Sequence, residues 1–274
     1  MEEILKYELK GINEPITRVK FGERIVEFWG GGKKTDKLLI AHDGQCIFDS
    51  RVAKNNNTWK LAENASLVAE DLNVTKPLII AIWHRGNVGD SVSRGIDLSP
   101  EDYFKSGIQL FPKNGPFDLN AIQGNKYLQE IFELIVPKVL KMTNSVVIPK
   151  RTAMIGASRG ALCTLYALSR YPQHFYTAIA HSTHWPIGGN SLVKLTIDDL
   201  PTPNEHRIWM SHGTLGFDAE YEPFQNYAND LLKQKGYERD VDYFFTLYPQ
   251  FGHTESDWAK QAGDSLRNWF QKID

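Results

Sequence analysis

The sequence predicts an α/β fold with a mostly parallel central sheet flanked by helices on both faces. Short apolar runs rich in β-branched residues alternate with longer segments of helical periodicity. The clearest instance is residues 152–169, where TAMIGA is typical of a strand, GASRG of a sharp turn and ALCTLYALS of a helix. Because an α/β architecture of 274 residues commonly forms one domain, we expect a single domain over residues 1–274.

The composition is ordinary for a globular protein, with 42% hydrophobic residues, 23% charged residues and a net charge of -2. This balance favours neither a nucleic acid nor an anionic membrane as partner. The first eleven residues, MEEILKYELKG, lack a long apolar run, which predicts neither a secretory signal nor a membrane anchor. We therefore expect a cytoplasmic protein whose two cysteines, Cys46 and Cys163, are buried free thiols.

The first third of the chain contains three predicted strands, Ile25 to Trp29, Lys37 to Ala41 and Leu78 to Trp83. Glycines 30–32, together with Lys33 and Lys34, lie between the first two strands. They lack the downstream G-K-[ST] pattern of a phosphate-binding loop, so we expect a flexible hairpin turn.

Residues 84–125 are predicted to form a lid-like or substrate-facing loop region, since this long segment is weakly patterned and rich in glycine and proline. Arg85, Arg94 and Tyr103 are its candidate polar contacts, although each residue type is more often structural in a loop. Helical periodicity resumes from Tyr127 to Lys141, and Pro137 is expected to kink that helix or start a fresh turn.

The sequence Gly156-Ala157-Ser158-Arg159-Gly160 matches the G-x-S-x-G pattern of a nucleophilic serine. A serine at the tip of a strand-to-helix turn has a strained backbone, and it needs small residues two positions before and after it. The same pattern also occurs in plain tight turns. Its context here, a predicted strand before and a predicted helix after, is the one that the catalytic pattern requires.

A candidate acid and a candidate base follow Ser158 in the chain. Predicted strands cover Tyr176 to Ala180, His206 to Ser211 and Asp242 to Tyr248, with helices at about Tyr221 to Lys235 and Glu255 to Gln271. Asp218 and His253 each come shortly after one of these strands, and Ser, acid, His is the order of α/β-hydrolase triads. Glu220 and Glu222 remain alternatives for the acid. His212 is the competing histidine, but it precedes every acid candidate of its own loop.

An oxyanion hole needs two backbone donors. The residue after the nucleophile, Arg159, supplies one, and the turn His42-Asp43-Gly44-Gln45 makes the N–H of Gln45 the candidate for the other. A simple turn at the end of a strand remains the alternative for Gln45. Neither the His181 and His184 pair nor any other spacing indicates a metal site, and no cofactor is expected.

Five stretches together carry a likeness to a known family: LLIAHDGQCIFD at 38–49, AIWHRGNVGDSVSRGIDLSPEDYF at 81–104, MIGASRGALCTLYALSRYP at 154–172, SHGTLGFDAEY at 211–221 and FGH at 251–253. The chain resembles the Putative esterase family of α/β hydrolases over about residues 37–269. That family is similar to enterochelin esterases, esterase D (S-formylglutathione hydrolase) and feruloyl or acetylxylan esterases. This chain departs from the family pattern at Ala161, where members often have a second glycine, and at Arg159, where methionine or leucine is usual.

The resemblance implies a serine carboxylesterase that uses Ser158, Asp218 and His253, with backbone donors from Gln45 and Arg159. The expected partner is a small-molecule ester. Candidate substrate-binding residues are Trp83, Arg94, Trp185 and Phe251, although aromatic residues near a site are equally often core. An acyltransferase or a thioesterase on the same triad is one alternative, and a non-catalytic binding protein on the same scaffold is another.

Overall fold

The computed structural model describes residues 4–32, 35–112 and 118–271. The strands in these ranges are β1 (Ile4–Tyr7), β2 (Ile16–Phe21), β3 (Arg24–Trp29), β4 (Leu38–Ala41), β5 (Leu78–Ile82), β6 (Thr152–Ala157), β7 (Thr177–His181), β8 (Arg207–Gly213) and β9 (Tyr243–Tyr248). The α-helices are α1 (Leu61–Asp71), α2 (Ser91–Leu98), α3 (Glu101–Phe104), α4 (Gly124–Gln129), α5 (Val136–Thr143), α6 (Arg159–Arg170), α7 (Gly189–Asp199), α8 (Glu222–Gln234) and α9 (Glu255–Gln271). None of the helices within the described ranges is long and apolar enough to cross a membrane.

The chain divides into two compact units. The first contains Met1–Arg94, Leu128–Met154 and Thr254–Asp274, and the second contains Gly95–Tyr127 and Ile155–His253. The residues of β6 are shared between the units, since its first three belong to one and its last three to the other. The expectation of a single domain stays a prediction.

The first unit contains five strands in the order β1-β2-β3-β5-β4. The pairs are antiparallel up to β5, and β4 then runs parallel to β5, with Leu39 opposite Ile79. All residues of β4 and β5 are buried, as is typical of strands that are covered on both faces. Helices α1 and α9 pack together, and the ring centroids of Trp59 and Trp258 are 5.4 Å apart.

The hairpin predicted at glycines 30–32 is wrong, because β5 lies between β3 and β4 in the sheet and the two strands do not pair. The three glycines have φ values of 78°, 99° and 107°, which L side chains rarely adopt. A Cβ on Gly30 would lie 2.6 Å from the carbonyl oxygen of Pro77, so the chain passes too close there for any side chain. Lys33 and Lys34 lie outside the described residues.

The second unit is built around the parallel strands β7, β8 and β9. His181 lies opposite Ser211, and Gly213 lies opposite Tyr248. Because parallel strands end at the same edge of a sheet, the residues that follow these strands share one edge. The candidate acid and base both lie in these connections.

The segment 84–125 is more regular than its composition predicts. Helices α2 and α3 and the 3-10 turn Leu119–Ala121 form within it, while residues 113–117 lie outside the described part of the chain. The two helices are eight and four residues long, which is too short for a clear periodic pattern. Within this segment Tyr103 is buried, and its hydroxyl donates to Asp199 Oδ2 at 2.8 Å, which gives it a structural contact.

The helix predicted from Tyr127 to Lys141 is present but interrupted. A π-helical segment, Glu130–Ile135, separates α4 from α5. Pro137, the second residue of α5, has no N–H with which to close an α-helical hydrogen bond. The predicted irregularity at Pro137 therefore takes the form of one wide turn just before it.

Candidate active site

Ser158 occupies the turn between β6 and α6, with φ 57° and ψ -119°. Non-glycine residues seldom adopt this conformation, and it persists only where the surroundings hold the backbone in place. Here the Ser158 N–H donates to the carbonyl of His181 at 2.9 Å, and the Ser158 carbonyl accepts from the His184 N–H at 3.2 Å. The nucleophile candidate is thus fixed on a strained turn at the N-terminus of a twelve-residue helix.

Asp218 is completely buried, and both of its carboxylate oxygens are hydrogen-bonded. Oδ1 lies 2.7 Å from Nδ1 of His253, while Oδ2 accepts from Ser182 Oγ at 2.6 Å and from the Gly213 N–H at 2.7 Å. Burial raises the pKa of Asp218, but the hydrogen bond and the charge of His253 and the other two donors outweigh it and hold this pKa below its ordinary value. Asp218 is therefore an anion at neutral pH.

The loop that carries Asp218 is held by its own backbone. The N–H groups of Thr214 and Leu215 both donate to the carbonyl of Phe251 at 2.9 Å. A Cβ on Gly213 would lie 2.1 Å from that same oxygen, so only glycine fits there. These contacts join the acid loop to the loop that leads to His253.

His253 lies between two aromatic rings. Phe217 meets its imidazole at a centroid distance of 5.9 Å and an angle of 76°, and Tyr221 meets it at 5.7 Å and 78°. The two aromatic residues differ in exposure, since Phe217 is 54% exposed and Tyr221 is only 2% exposed. The Tyr221 hydroxyl lies 2.8 Å from Nδ1 of His184. The His253 side chain itself is 16% exposed, so the imidazole reaches solvent while its acid partner does not.

The predicted serine, acid and base therefore all belong to the second unit, and the structure pairs the acid with the base. Sequence reasoning missed four residues around them: Ser182, Gly213, Phe217 and Tyr221. Their positions carry a usable signal, since each lies at the carboxyl end of β7 or β8 or in the connection that follows one of them. Residues in such positions collect at one edge of a parallel sheet.

Gln45 lies in the first unit, in a 3-10 turn at Gly44–Cys46. Its side chain is buried and bonds the His84 backbone in both directions, from Nε2 to the carbonyl at 3.0 Å and from the N–H to Oε1 at 3.3 Å. These bonds fix the turn that contains the Gln45 N–H. Its role as an oxyanion donor stays a prediction.

Two predicted substrate contacts, Trp83 and Arg94, make structural bonds in the first unit. The Trp83 indole N–H donates to Glu27 Oε2 at 3.2 Å, and the Arg94 guanidinium forms two bonds to Asp43, at 2.6 and 2.7 Å. Burial raises the pKa of Asp43, but the Arg94 charge outweighs it and the pKa lies below its ordinary value. Their binding of substrate stays a prediction.

The other two predicted contacts, Trp185 and Phe251, belong to the second unit. Trp185 is fully buried, and its indole N–H donates to Gln225 Oε1 at 3.2 Å, while its binding of substrate stays a prediction. Phe251 is partly exposed and stacks on Tyr248 at 5.3 Å. In the sequence, Phe251 is closer to the candidate base His253 than Trp185 is, because only Gly252 separates the two residues.

The two cysteines are free and buried, as predicted, and burial raises the pKa of the Cys46 thiol to about 12. Among the described residues no group of three or more His, Cys, Asp or Glu side chains is arranged to hold a metal ion.

The Putative esterase family matches residues 95–262, which is more than half of the chain. No curated protein sequence is significantly similar to the chain. The family match covers the serine turn, the Asp218 loop and the His253 loop, and it confirms the resemblance found in the sequence.

Solved structures with the same fold include the enterobactin esterase of Shigella flexneri, determined in the presence of 2,3-dihydroxy-N-benzoyl-glycine. It matches with a TM-score of 0.63 at 15% identity, over 99% of this chain and 60% of that chain. This chain therefore spans about 60% of the length of that enzyme. The siderophore hydrolases EstA and EstB of Aspergillus nidulans match with TM-scores of 0.67 and 0.65 at 16% and 18% identity. These matches cover 95% and 96% of this chain, and 97% and 96% of theirs. They confirm the predicted α/β-hydrolase fold, a mostly parallel central sheet with flanking helices.

Proposed function

Because the chain belongs to the Putative esterase family, which supports an ester hydrolase activity, we propose that it is a serine carboxylesterase acting through Ser158, Asp218 and His253. One observation carries the mechanism. A buried, anionic Asp218 bonds Nδ1 of a partly exposed His253, in the same unit as a serine on a strained strand-to-helix turn. This combination of acid, base and nucleophile is the one that serine hydrolases use.

The Asp218 bond determines what His253 does. A carboxylate can only accept, so the imidazole carries its proton on Nδ1 and leaves Nε2 as a proton acceptor. Nε2 takes the hydroxyl proton of Ser158 while Oγ bonds to the ester carbonyl carbon. The carbonyl π electrons move to oxygen, and Asp218 stabilises the imidazolium that results.

The tetrahedral oxyanion is stabilised by the N–H of Arg159, the first residue of α6, together with the partial positive charge at the start of that helix. Only the Arg159 backbone is needed, so the long side chain at this position is compatible with catalysis. His253 then protonates the departing alcohol as the carbon–oxygen bond breaks. Water, deprotonated by His253, hydrolyses the acyl-enzyme and restores Ser158.

The surroundings of His253 favour a substrate with an apolar or aromatic part. Phe217 is 54% exposed and Leu215 is 45% exposed on the loop that carries Asp218, and the Phe217 ring lies against the imidazole. Exposed apolar groups beside a catalytic base are available to bind an apolar part of the substrate. Since an enterobactin esterase and siderophore hydrolases share the fold, a catecholate siderophore ester belongs among the substrates to test.

The experiment is hydrolysis of a p-nitrophenyl ester series, from acetate to decanoate, by the native protein, Ser158→Ala and Ser191→Ala. Ser191 is an exposed serine on α7 and serves as the matched control. We expect Ser158→Ala to lose about a million-fold in kcat, to the detection limit, and Ser191→Ala to lose nothing.

Hydrolysis that persists in folded Ser158→Ala would contradict the serine mechanism. Preferential transfer of the acyl group to an added alcohol or thiol would identify a transferase instead. A folded native protein that hydrolyses no member of the series, and no siderophore ester, would favour a binding protein on this scaffold.

A further inference from the structure

The carboxylate of Asp218 has a third hydrogen-bond donor besides His253 and the Gly213 N–H. Ser182 Oγ donates to Oδ2 at 2.6 Å, and both residues are completely buried. A hydrogen bond to an ionised group is shorter and stronger than one between neutral groups. The Ser182 hydroxyl thus bonds the proposed acid directly, on the oxygen that His253 does not use.

The backbone of Ser182 is held in an unusual conformation that delivers this hydroxyl. Its φ is 47°, in the left-handed region that a serine seldom occupies. Its N–H donates to the carbonyl of Ser211 at 2.6 Å, at the end of β7 where that strand pairs with β8. Strained residues of this kind persist where the surroundings fix them, and they cluster at functional sites.

We infer that Ser182 is a positioning residue for the proposed triad, whose hydroxyl holds Oδ2 of Asp218 so that Oδ1 faces His253. The inference rests on the proposed function. Without Ser182, Oδ2 would keep only the Gly213 N–H while Oδ1 keeps His253, so the carboxylate would lose one of its three donors. Two donors on Oδ2, one from the residue after β7 and one from the last residue of β8, fix the plane of the group.

The hydroxyl also compensates part of the negative charge of Asp218. Without it, the charge on Asp218 would favour the protonated form of His253 more strongly. Other titratable groups near the pair include Tyr221, whose ring meets His253, and His184 and His212, which contact Tyr221. Because Ser182 and His253 bond the same carboxylate, we expect a change in pH dependence in the Ser182 variants to report on Asp218 and His253.

The test compares Ser182→Ala, Ser182→Gly and Ser211→Ala in p-nitrophenyl ester hydrolysis from pH 5 to pH 9. Ser182→Gly removes the hydroxyl and also relieves the left-handed backbone, so agreement between the two Ser182 variants isolates the hydroxyl. Ser211 is the matched control, a buried serine whose hydroxyl bonds Nδ1 of His181 at 2.7 Å instead of the acid.

We expect both Ser182 variants to lower kcat about tenfold with little change in KM, the effect of losing one hydrogen bond to a charged group. The acidic limb of kcat/KM should move to higher pH in both, and Ser211→Ala should leave that limb in place. Unchanged kcat and an unchanged acidic limb in folded Ser182→Ala and Ser182→Gly would overturn the inference. An equal displacement in Ser211→Ala would overturn it as well.

Failure of this inference is distinguishable from failure of the proposed function. If Ser158→Ala is inactive while the Ser182 variants behave like the native protein, only the positioning role fails. If Ser158→Ala remains active, the triad itself is wrong, and the role of Ser182 fails with it.

Discussion

Two buried carboxylates, Glu27 in the first unit and Asp218 in the second, are each held by several donors of different kinds. Glu27 accepts from Arg18 Nε at 2.9 Å, from the indole N–H of Trp83 at 3.2 Å and from the hydroxyl of Tyr7. Asp218 accepts from a serine hydroxyl, a backbone N–H and His253. Each site satisfies its buried charge, as burial requires.

The difference lies in which donor can change its protonation state. Arg18 remains charged at all relevant pH, and its guanidinium is further covered by the Trp83 ring at 4.9 Å, so the Glu27 site is an inert structural ion pair. Histidine is the side chain that exchanges a proton near neutral pH, and His253 is 16% exposed. The proposed triad differs from the Glu27 site in this respect, because its buried carboxylate is paired with a histidine that reaches solvent.

The largest effect expected at these two carboxylates is that of Asp218→Asn, with a loss of about 10³- to 10⁴-fold in kcat. Ser182 and Gly213 donate to one side of the group, so the amide NH₂ of the variant would face Nδ1 of His253 and favour the tautomer that cannot accept the Ser158 proton. The measurement is steady-state hydrolysis of p-nitrophenyl acetate. Glu220→Gln and Glu222→Gln are the controls, and a damaging effect in either with a silent Asp218→Asn would show that the acid is assigned to the wrong residue.

Glu27→Gln should act on stability instead. Breaking a buried ion pair leaves Arg18 without its carboxylate, and we expect a loss of about 3 kcal/mol in the free energy of unfolding. Activity per folded molecule should stay unchanged. Urea unfolding provides the measurement, and Glu23→Gln is the control, because Glu23 is almost fully exposed and its contact with Lys20 spans 3.6 Å. If Glu27→Gln lost activity without losing stability, the conclusion that Glu27 acts on stability and Asp218 on activity would be wrong.

Phe217→Ala should raise KM for long-chain or aromatic esters about five- to tenfold, with kcat on acetate nearly unchanged. The variant removes an apolar surface that lies against His253, and partial burial of a phenyl ring accounts for an effect of that size. Val241→Ala is the control. Val241 is also an exposed apolar residue, at 44%, but it lies before β9, whereas the loop that leads to His253 lies after β9. Equal KM changes in both variants would mean that Phe217 has no special role in binding.

The smallest expected effect concerns acid stability. Because the pKa of Asp218 is lowered on folding, its ionisation stabilises the protein above the unfolded value of about 4, and this contribution is lost as the pH falls through the folded value. The Tm difference between native protein and Asp218→Asn should therefore shrink between pH 6 and pH 3. A constant difference over that range would show that the ionised form of Asp218 gains nothing from its partners.

Local patterns in the sequence predict elements of both units. The strand-turn-helix at Ser158 and the helix Glu255–Gln271 match their predicted positions, because strong periodicity and glycine placement specify them. Other elements carry a weaker signal. β1 in the first unit is largely exposed and four residues long, and α7 in the second unit has Gly188 at its N-cap with no side-chain capping bond, so neither produces a clear signal.

Non-local pairing explains the remaining differences. The order of β3, β5 and β4 depends on a strand about 50 residues further along the chain, which the glycine run between β3 and β4 does not encode. The role of Ser182 is non-local in the same way, because its hydroxyl reaches Asp218 only when β7 and β8 are adjacent in the sheet. The order of serine, acid and histidine along the chain supplied the triad candidates, but it supplied neither of these contacts.

The most direct test of the central claim is labelling with a fluorophosphonate, followed by peptide mass spectrometry. The proposed mechanism predicts one adduct on Ser158 in the native protein and in Glu27→Gln. It predicts much slower labelling in His253→Ala and Asp218→Asn, because the serine is then no longer activated. An adduct on a different residue, or equally fast labelling of Ser158 in His253→Ala, would contradict the account.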